Sequence, residues 1–329
     1  RYRNKAIYQF AEIGGRLTAG FYARHSHRVV PCGDCPLHPE AFGKILKKVI
    51  YHAEKQNVSA YDEQTGKGVL RRLYLRSTAA GDVMLCVVCS KPTPQVKQLC
   101  ASMLGFERTV SCYINVCNKP GNAVLSDKML HIAGVAKLED VLCGKRFLLS
   151  PASFYQVNHD GAELLYSTVR SLAGEAESIL DMYCGTGTIG ICCASGGTSL
   201  TGFDVNADAT DDARLNAGAN GLDNALFICA DAEEFAKKHD TKSAFDVVIM
   251  DPPRKGSTPE VVGLACRCAK EKIVYVSCDP ATLARDCALF IKLGWRIDRS
   301  VPVDMFPRTA NIETVVSLVR ATPDIRRAF

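Results

Sequence analysis

The chain has 329 residues, of which 47% are hydrophobic and 23% charged, with a formal net charge of +5. That length allows two domains and a sizeable core, and it argues against a small disulfide scaffold. No apolar run approaches the roughly 20 residues that span a bilayer, so no membrane partner is expected. The opening RYRNKA is polar and basic, unlike a signal peptide, and Arg1 in place of Met leaves room for sequence upstream.

Basic residues gather early: Arg1, Arg3, Lys5, Arg16, Arg24, His25, His27, Arg28, Lys67, Arg71, Arg72 and Arg76. Tyr2, Phe21, Tyr22 and Tyr74 are interleaved with them. A solvated surface and a nucleic-acid footprint both fit this pattern. The sixteen cysteines are scattered and often sit inside apolar runs, as reduced, buried thiols of a cytoplasmic protein do. Cys32 and Cys35 form a CGDC loop, but no second pair in a suitable loop completes a metal site, so no metal is expected.

PEAFGKILKKVIYHAEKQ has the spacing of an amphipathic helix, with Phe42, Ile45, Leu46, Val49 and Ile50 on one face. LRRLYLRSTA and GDVMLCVVCS predict a hairpin about Ala80-Gly81-Asp82. SCYINVCNKPGNAVL reads as two strands around Asn118-Lys119-Pro120-Gly121. These elements predict a smaller α+β domain over residues 1–145. Over residues 146–329 strands and helices alternate, which predicts a Rossmann-like, doubly wound α/β domain with a mostly parallel sheet. Its strands include SILDMYC, SLTGFDV, ALFICAD, FDVVIMD and KIVYVSC. A helix is expected near Pro259 to Lys270 and another from Ala281. Trp295–Val303 and Glu313–Arg320 are expected to pair antiparallel at the sheet edge.

DMYCGTGTIG follows the first strand of the α/β domain, and Gly185 and Gly187 allow close approach of a ligand to the backbone. Asp181, Asp204, Asp231 and Asp251 are read as ending the first four strands, on the face where open α/β sheets bind ligands. An acid after the second strand suits ribose hydroxyls, and one after the third suits an adenine amino group. The competing reading makes these acids helix caps. The turn lacks a third glycine at dinucleotide spacing. It therefore favours a nucleoside cofactor without diphosphate, S-adenosyl-L-methionine.

The fourth strand ends in DPPRKG. Many amino-group methyltransferases carry an acidic or amide residue, two prolines and an aromatic there. Arg254 stands in the aromatic's place and suits a phosphate or carbonyl oxygen. Cys278 lies between a strand and a helix, where backbone dipoles favour a thiolate. A thiolate that adds to carbon 6 of uracil makes carbon 5 nucleophilic, and a base must then remove the carbon-5 proton. Glu313, after the MFPRTANIE loop, is the candidate base.

YRNKA, SPASFYQVN, DMYCGTGTIG, DPPRKG, VSCDPATLARD and DMFPRTANIE, in this order, give the chain its likeness to a family. It resembles the RNA uracil-5-methyltransferases, which make 5-methyluridine in tRNA or ribosomal RNA. The resemblance implies a class I S-adenosylmethionine-dependent fold with Cys278 as nucleophile, Glu313 as proton acceptor and Asp251 at the uracil edge. It implies that Gln156, Tyr183, Thr188, Asp204, Asp231 and Asp251 hold the cofactor beside Gly185. It also implies a flipped-out target base and an RNA-gripping central domain. Ribosomal RNA, the 23S species, is expected ahead of tRNA, because bacterial relatives with the DMFP segment often act there. A cytoplasmic monomer is expected.

The pattern departs from the family in three ways. Asn311 stands where most members have His, and Asp204 where Glu is usual. Many relatives also open with a small β-barrel and a cysteine-ligated iron–sulfur cluster. Only Cys35 matches a ligand of that cluster, and the other three would precede Arg1. The alternatives are an amino-group methyltransferase, opposed by Arg254 and the SCDP segment, and a non-catalytic RNA-binding protein, opposed by Cys278 with Glu313. An iron–sulfur module is a third, which Cys32 and Cys35 alone do not support.

Overall fold

The computed structural model describes residues 1–118, 124–239, 241–242 and 244–321. The chain divides into two compact units, Arg1–Asp140 with Leu148–Ala152, and Val141–Phe147 with Ser153–Phe329.

The first unit contains β1 (Lys5–Ile13), β2 (Arg16–Tyr22), β3 (Val29–Pro31), α1 (Glu40–Lys55), β4 (Leu70–Ser77), β5 (Val83–Cys89), α2 (Pro94–Ala101), β6 (Thr109–Val116) and β7 (Met129–Gly134). Its seven-stranded sheet has the order β3-β2-β1-β4-β5-β6-β7. The predicted α1 forms, and Phe42, Ile45, Leu46 and Val49 enter the core beside Leu73, Leu85 and Val87. Full burial of such side chains stabilises by about 1.5–3 kcal/mol each. The predicted hairpin is β4–β5, antiparallel with Ser77 opposite Val83. SCYINV lies in β6, while the predicted turn at Lys119, Pro120 and Gly121 falls outside the described residues. β8 (Leu138–Leu142) and β9 (Lys145–Leu149) pair as a separate two-stranded sheet.

Three arginines of the expected basic surface are not on the surface. Arg71, Arg72 and Arg76 are 4%, 4% and 2% exposed. Arg71 pairs with Glu63, donates to the Cys117 carbonyl at 3.0 Å and lies over the Tyr61 ring. Arg72 donates to Gln9 Oε1 at 3.0 Å, and Arg76 to the Ser150 carbonyl at 3.2 Å. Central strands bury both faces, and a long side chain there finds a partner rather than water. The exposed basic residues include Arg16, Arg24, His25, His27, Arg28 and Lys67.

The second unit contains α3 (His159–Ala173), β10 (Ser178–Met182), α4 (Thr188–Cys193), β11 (Ser199–Asp204), α5 (Ala207–Ala219), β12 (Ala225–Cys229), α6 (Ala232–Lys238), β13 (Phe245–Met250), α7 (Pro259–Cys268), β14 (Ala269–Ser277), α8 (Pro280–Lys292), β15 (Trp295–Val303) and β16 (Glu313–Arg320). The sheet order is β12-β11-β10-β13-β14-β16-β15. The first five strands are parallel, and β10 starts crossovers in both directions, which makes its carboxyl end the switch point of the sheet. α7 stops at Cys268, so Lys270 belongs to β14 rather than to the helix. β16 pairs antiparallel with β15, as expected, and also with β14. No helix among the described residues is long and apolar enough to cross a membrane.

Candidate active site

The turn after β10 has a demanding backbone. Tyr183, Gly185 and Gly187 have φ of 64°, 52° and 78°. A left-handed tyrosine is strained, and such residues persist where neighbours hold them. Tyr183 Oη lies 3.3 Å from Ser257 Oγ. Asn216 Nδ2 donates to the Thr186 carbonyl at 3.1 Å, so α5 also steadies the turn. An added Cβ at Gly187 would stand 3.0 Å from Phe227 and Ile191, whereas at Gly185 it would meet nothing within 4 Å. The backbone at Gly185 is therefore open to a ligand.

Asp181 leaves the expected row of strand-end acids. It lies inside β10, 1% exposed, and its Oδ2 accepts the Gly190 N–H at 2.9 Å. It fastens α4 to the sheet, and burial pushes its carboxyl up to about 7. Asp204 ends β11; its oxygens take the Gly185 and Asn206 N–H groups at 3.1 and 2.9 Å. A carboxylate accepts about four hydrogen bonds, so Asp204 retains capacity for a diol. Val205 beside it is 72% exposed. Asp231 is exposed and caps α6, accepting the Glu234 N–H at 2.8 Å, as the competing reading required of it.

Gln156 and Thr188 meet at a residue that the sequence reading passed over. Tyr166 Oη lies 3.3 Å from Thr188 Oγ1, bonds the Gln156 side chain and feels the charge of Asp251. Tyr166 is 2% exposed on α3. The SFYQVN segment is tied to the DMFP loop by Asn158, whose Nδ2 donates to the Met305 carbonyl at 3.0 Å while its Oδ1 caps α3. Within that segment Phe154 is 67% exposed.

Cys278 directly follows β14. The β14–β16 register ends with Ser277 opposite Thr314, so Cys278 and Glu313 each lie one residue beyond that last pair, Cys278 past the end of β14 and Glu313 at the start of β16. Glu313 is 6% exposed, and its carboxylate has no hydrogen bond or ion pair among the described residues. Desolvation raises its pKa, and Arg254 opposes the rise. Asp251, half-buried after β13, is pushed up to about 8, first by desolvation and then by Glu313 and Asp181. Cys278 is also raised, by desolvation first and then by Glu313, with Arg254 lowering it and Asp251 raising it. The dipole argument for a thiolate therefore does not govern the resting thiol. Asp279 caps α8 and takes the Ala281 and Thr282 N–H groups itself, at 2.9 and 3.0 Å. Asn311 is exposed, with its N–H on Thr309 Oγ1 at 3.2 Å.

A thiol and a buried carboxylate near the carboxyl ends of a doubly wound parallel sheet belong to an α/β protein with a strand-end site, and comparison with known proteins narrows the class. Residues 143–321 match the family model described as tRNA (Uracil-5-)-methyltransferase. A protein of Clostridium tetani named as an uncharacterized RNA methyltransferase is 36% identical over 323 residues, 96% of this chain and 70% of that one. A protein of Lactobacillus johnsonii with the same description is 36% identical over 324 residues, 97% of this chain and 72% of its own. The crystal structure of Pyrococcus abyssi tRNA (uracil-54, C5)-methyltransferase in complex with S-adenosyl-L-homocysteine superposes with a TM-score of 0.81 at 30% identity, covering 97% of this chain and 76% of that one. The chain belongs to the RNA uracil-5-methyltransferase family.

The family is S-adenosylmethionine-dependent. The residues present fit that cofactor: an open glycine backbone at Gly185, a carboxylate with spare acceptors at Asp204, and an exposed apolar side chain at Val205. Asp231 Oδ2 has no hydrogen-bond partner among the described residues and is available to an amino group.

Proposed function

We propose that this enzyme methylates carbon 5 of a uridine in ribosomal RNA through a covalent bond between Cys278 and carbon 6 of the base. Glu313 carries the reading: it is a buried carboxylate without a hydrogen bond among the described residues, adjoining the same last ladder rung as a half-exposed thiol. Burial of an unpaired acid is costly unless chemistry uses it.

Gln156, Tyr183, Gly185, Thr188, Asp204 and Asp231 hold the cofactor, and Asp251 reaches both cofactor and uracil edge. The bound sulfonium supplies an electrophilic methyl group. Cys278 adds to carbon 6 and leaves carbon 5 as the nucleophile. Once carbon 5 carries its methyl group, Glu313 takes the carbon-5 proton. The Cys278 sulfur then departs with the electron pair of its bond to carbon 6, and the 5,6 double bond returns. Desolvation raises the pKa of Glu313 above the usual carboxylate value, which makes it a stronger proton acceptor. Asp251, pushed up to about 8 first by desolvation and then by Glu313 and Asp181, is able to donate a hydrogen bond to a uracil oxygen at neutral pH. Phe154 offers a face on which an unstacked base can rest.

In this reading residues 1–145 grip RNA, through exposed residues such as Arg24, His25, His27 and Arg28, and residues 146–329 carry the chemistry of a monomeric enzyme. Ribosomal RNA is proposed on the DMFP segment. A tRNA target is the second reading, favoured by the likeness to the Pyrococcus abyssi tRNA (uracil-54, C5)-methyltransferase. Incubation with S-adenosylmethionine and 5-fluorouridine-substituted ribosomal or transfer RNA tests both. A denaturation-resistant adduct mapped to Cys278 is expected with ribosomal RNA. An adduct with tRNA alone transfers the function to the second reading, and none with either RNA overturns the covalent mechanism.

A further inference from the structure

We infer that Arg254 supplies the positive charge against which Cys278 ionises, and that the Arg285–Asp286 pair of α8 is the device that positions it. The inference rests on the reading of Cys278 as nucleophile.

The segment 252–257 belongs to no helix or strand, yet it is tightly held. Thr282 Oγ1 donates to the Arg254 carbonyl at 3.3 Å. Arg285 Nη2 donates to the carbonyls of Lys255 and Ser257 at 2.9 and 3.2 Å. Asp286, 0% exposed, accepts the Ser257 N–H at 2.8 Å and the Tyr275 hydroxyl at 2.6 Å, and its other oxygen pairs with Arg285 Nε at 2.8 Å. Gly256 sits in the left-handed region, where a Cβ would stand 2.5 Å from both Arg285 Nη2 and Asp286 Oδ2. Five backbone groups of a short loop are thus fastened or pressed by one helix. That helix starts two residues after Cys278, so a single element fixes both the thiol and the loop that carries Arg254.

The guanidinium itself is unspent. Arg254 is exposed, and its side chain makes no hydrogen bond or ion pair among the described residues. The charged groups acting on Cys278 are Glu313 from β16, Asp251 from the end of β13 and Arg254 from the loop, with the thiol's own backbone N–H as a further donor. Both acids disfavour a thiolate, and Arg254 alone of the three favours it. On ionisation the thiol proton passes to solvent water, and the negative charge left on sulfur is the one the guanidinium stabilises. The motif residues Thr282, Arg285 and Asp286 are positioning residues that act through Arg254.

Alkylation of Cys278 by iodoacetamide from pH 6 to 10, read by mass spectrometry on the Cys278 peptide of the full chain, tests this without RNA. In Arg254→Gln the midpoint is expected about one pH unit higher, with about tenfold slower alkylation at neutral pH. Arg254→Lys is expected close to the parent. Thr282→Val and Asp286→Asn are expected to shift the midpoint the same way by less, with a nearly unchanged melting temperature in Thr282→Val, which loses only the hydroxyl shared between the Arg254 and Asp279 carbonyls. A midpoint unmoved in Arg254→Gln overturns the inference. Undiminished methyl transfer by Cys278→Ala overturns the nucleophile reading instead, and the two failures are separately visible.

Discussion

Both units bury charged side chains in or beside their central strands, and they treat them in opposite ways. In the first unit Arg71, Arg72 and Arg76 lie at most 4% exposed, and carboxylate, amide and carbonyl oxygens meet them. In the second, Glu313 and Asp251 have no hydrogen bond among the described residues and crowd each other beside Cys278. Burial alone therefore does not mark a working site. The first unit's arginines are stitched into the fold, as are Asp181 and Asp286 of the second, whereas the Glu313 and Asp251 carboxylates are held in a state that folding disfavours.

The comparison breaks most readily at Glu313. Glu313→Gln is expected to lower turnover by about 10²–10⁴-fold and to accumulate an RNA adduct on Cys278, while the melting temperature holds or rises. Unchanged turnover without adduct would remove Glu313 from the chemistry. Arg71→Ala is the counterpart. It is expected to lose about 2–4 kcal/mol in denaturant unfolding, since Glu63 and the Cys117 carbonyl are left without their partner. A loss of activity without loss of stability would contradict the contrast.

Acidity sharpens it further. Asp251 and Asp181 rise from 3.8 to about 8 and about 7, so the folded chain binds more protons than the unfolded one within that window. Their contribution to stability is present at low pH and falls as pH rises from about 4 to 8. His38, buried in the first unit and lowered from 6.5 to about 4 chiefly by desolvation, acts with the opposite sign. Its contribution grows as pH rises from about 4 to 6.5. Melting across this range is expected to show the alkaline slope flattened by Asp251→Asn and the acidic slope flattened by His38→Gln. The smallest effect is expected at the surface. Arg24→Ala with Arg28→Ala should weaken RNA binding at all sequences alike and reduce the salt slope by about 2. An unaltered slope would place the RNA grip elsewhere.

The pattern of residues made much of this legible. Helical spacing marked α1, and strand-end motifs marked the turn at Gly185 and the junction at Cys278. Tyr166 was hidden because it falls in the apolar stripe of α3 with Leu165 and Val169, where a tyrosine reads as core. Asp181 was misplaced by a single residue of strand length, enough to turn it from the ligand face to α4. The arginines of β4 misled for a different reason: arginine is usually exposed, and its burial here rests on distant partners such as Gln9 of β1, Glu63, and the Cys117 and Ser150 carbonyls. Pairing of β16 with β14 as well as β15 depends on tertiary register, which local periodicity does not carry.

That pairing has a consequence for how the enzyme can vary. Cys278 and Glu313 each adjoin the last rung of the β14–β16 ladder, Ser277 with Thr314. Residues 304–312 lie between β15 and β16, outside both ladders. Lengthening or shortening that loop leaves the main-chain pairing of β14 with β16 in place, and with it the backbone that adjoins Cys278 and Glu313. Under the proposed mechanism the loop can therefore drift in length while the backbone beside the thiol and the acid stays a fixed mesh.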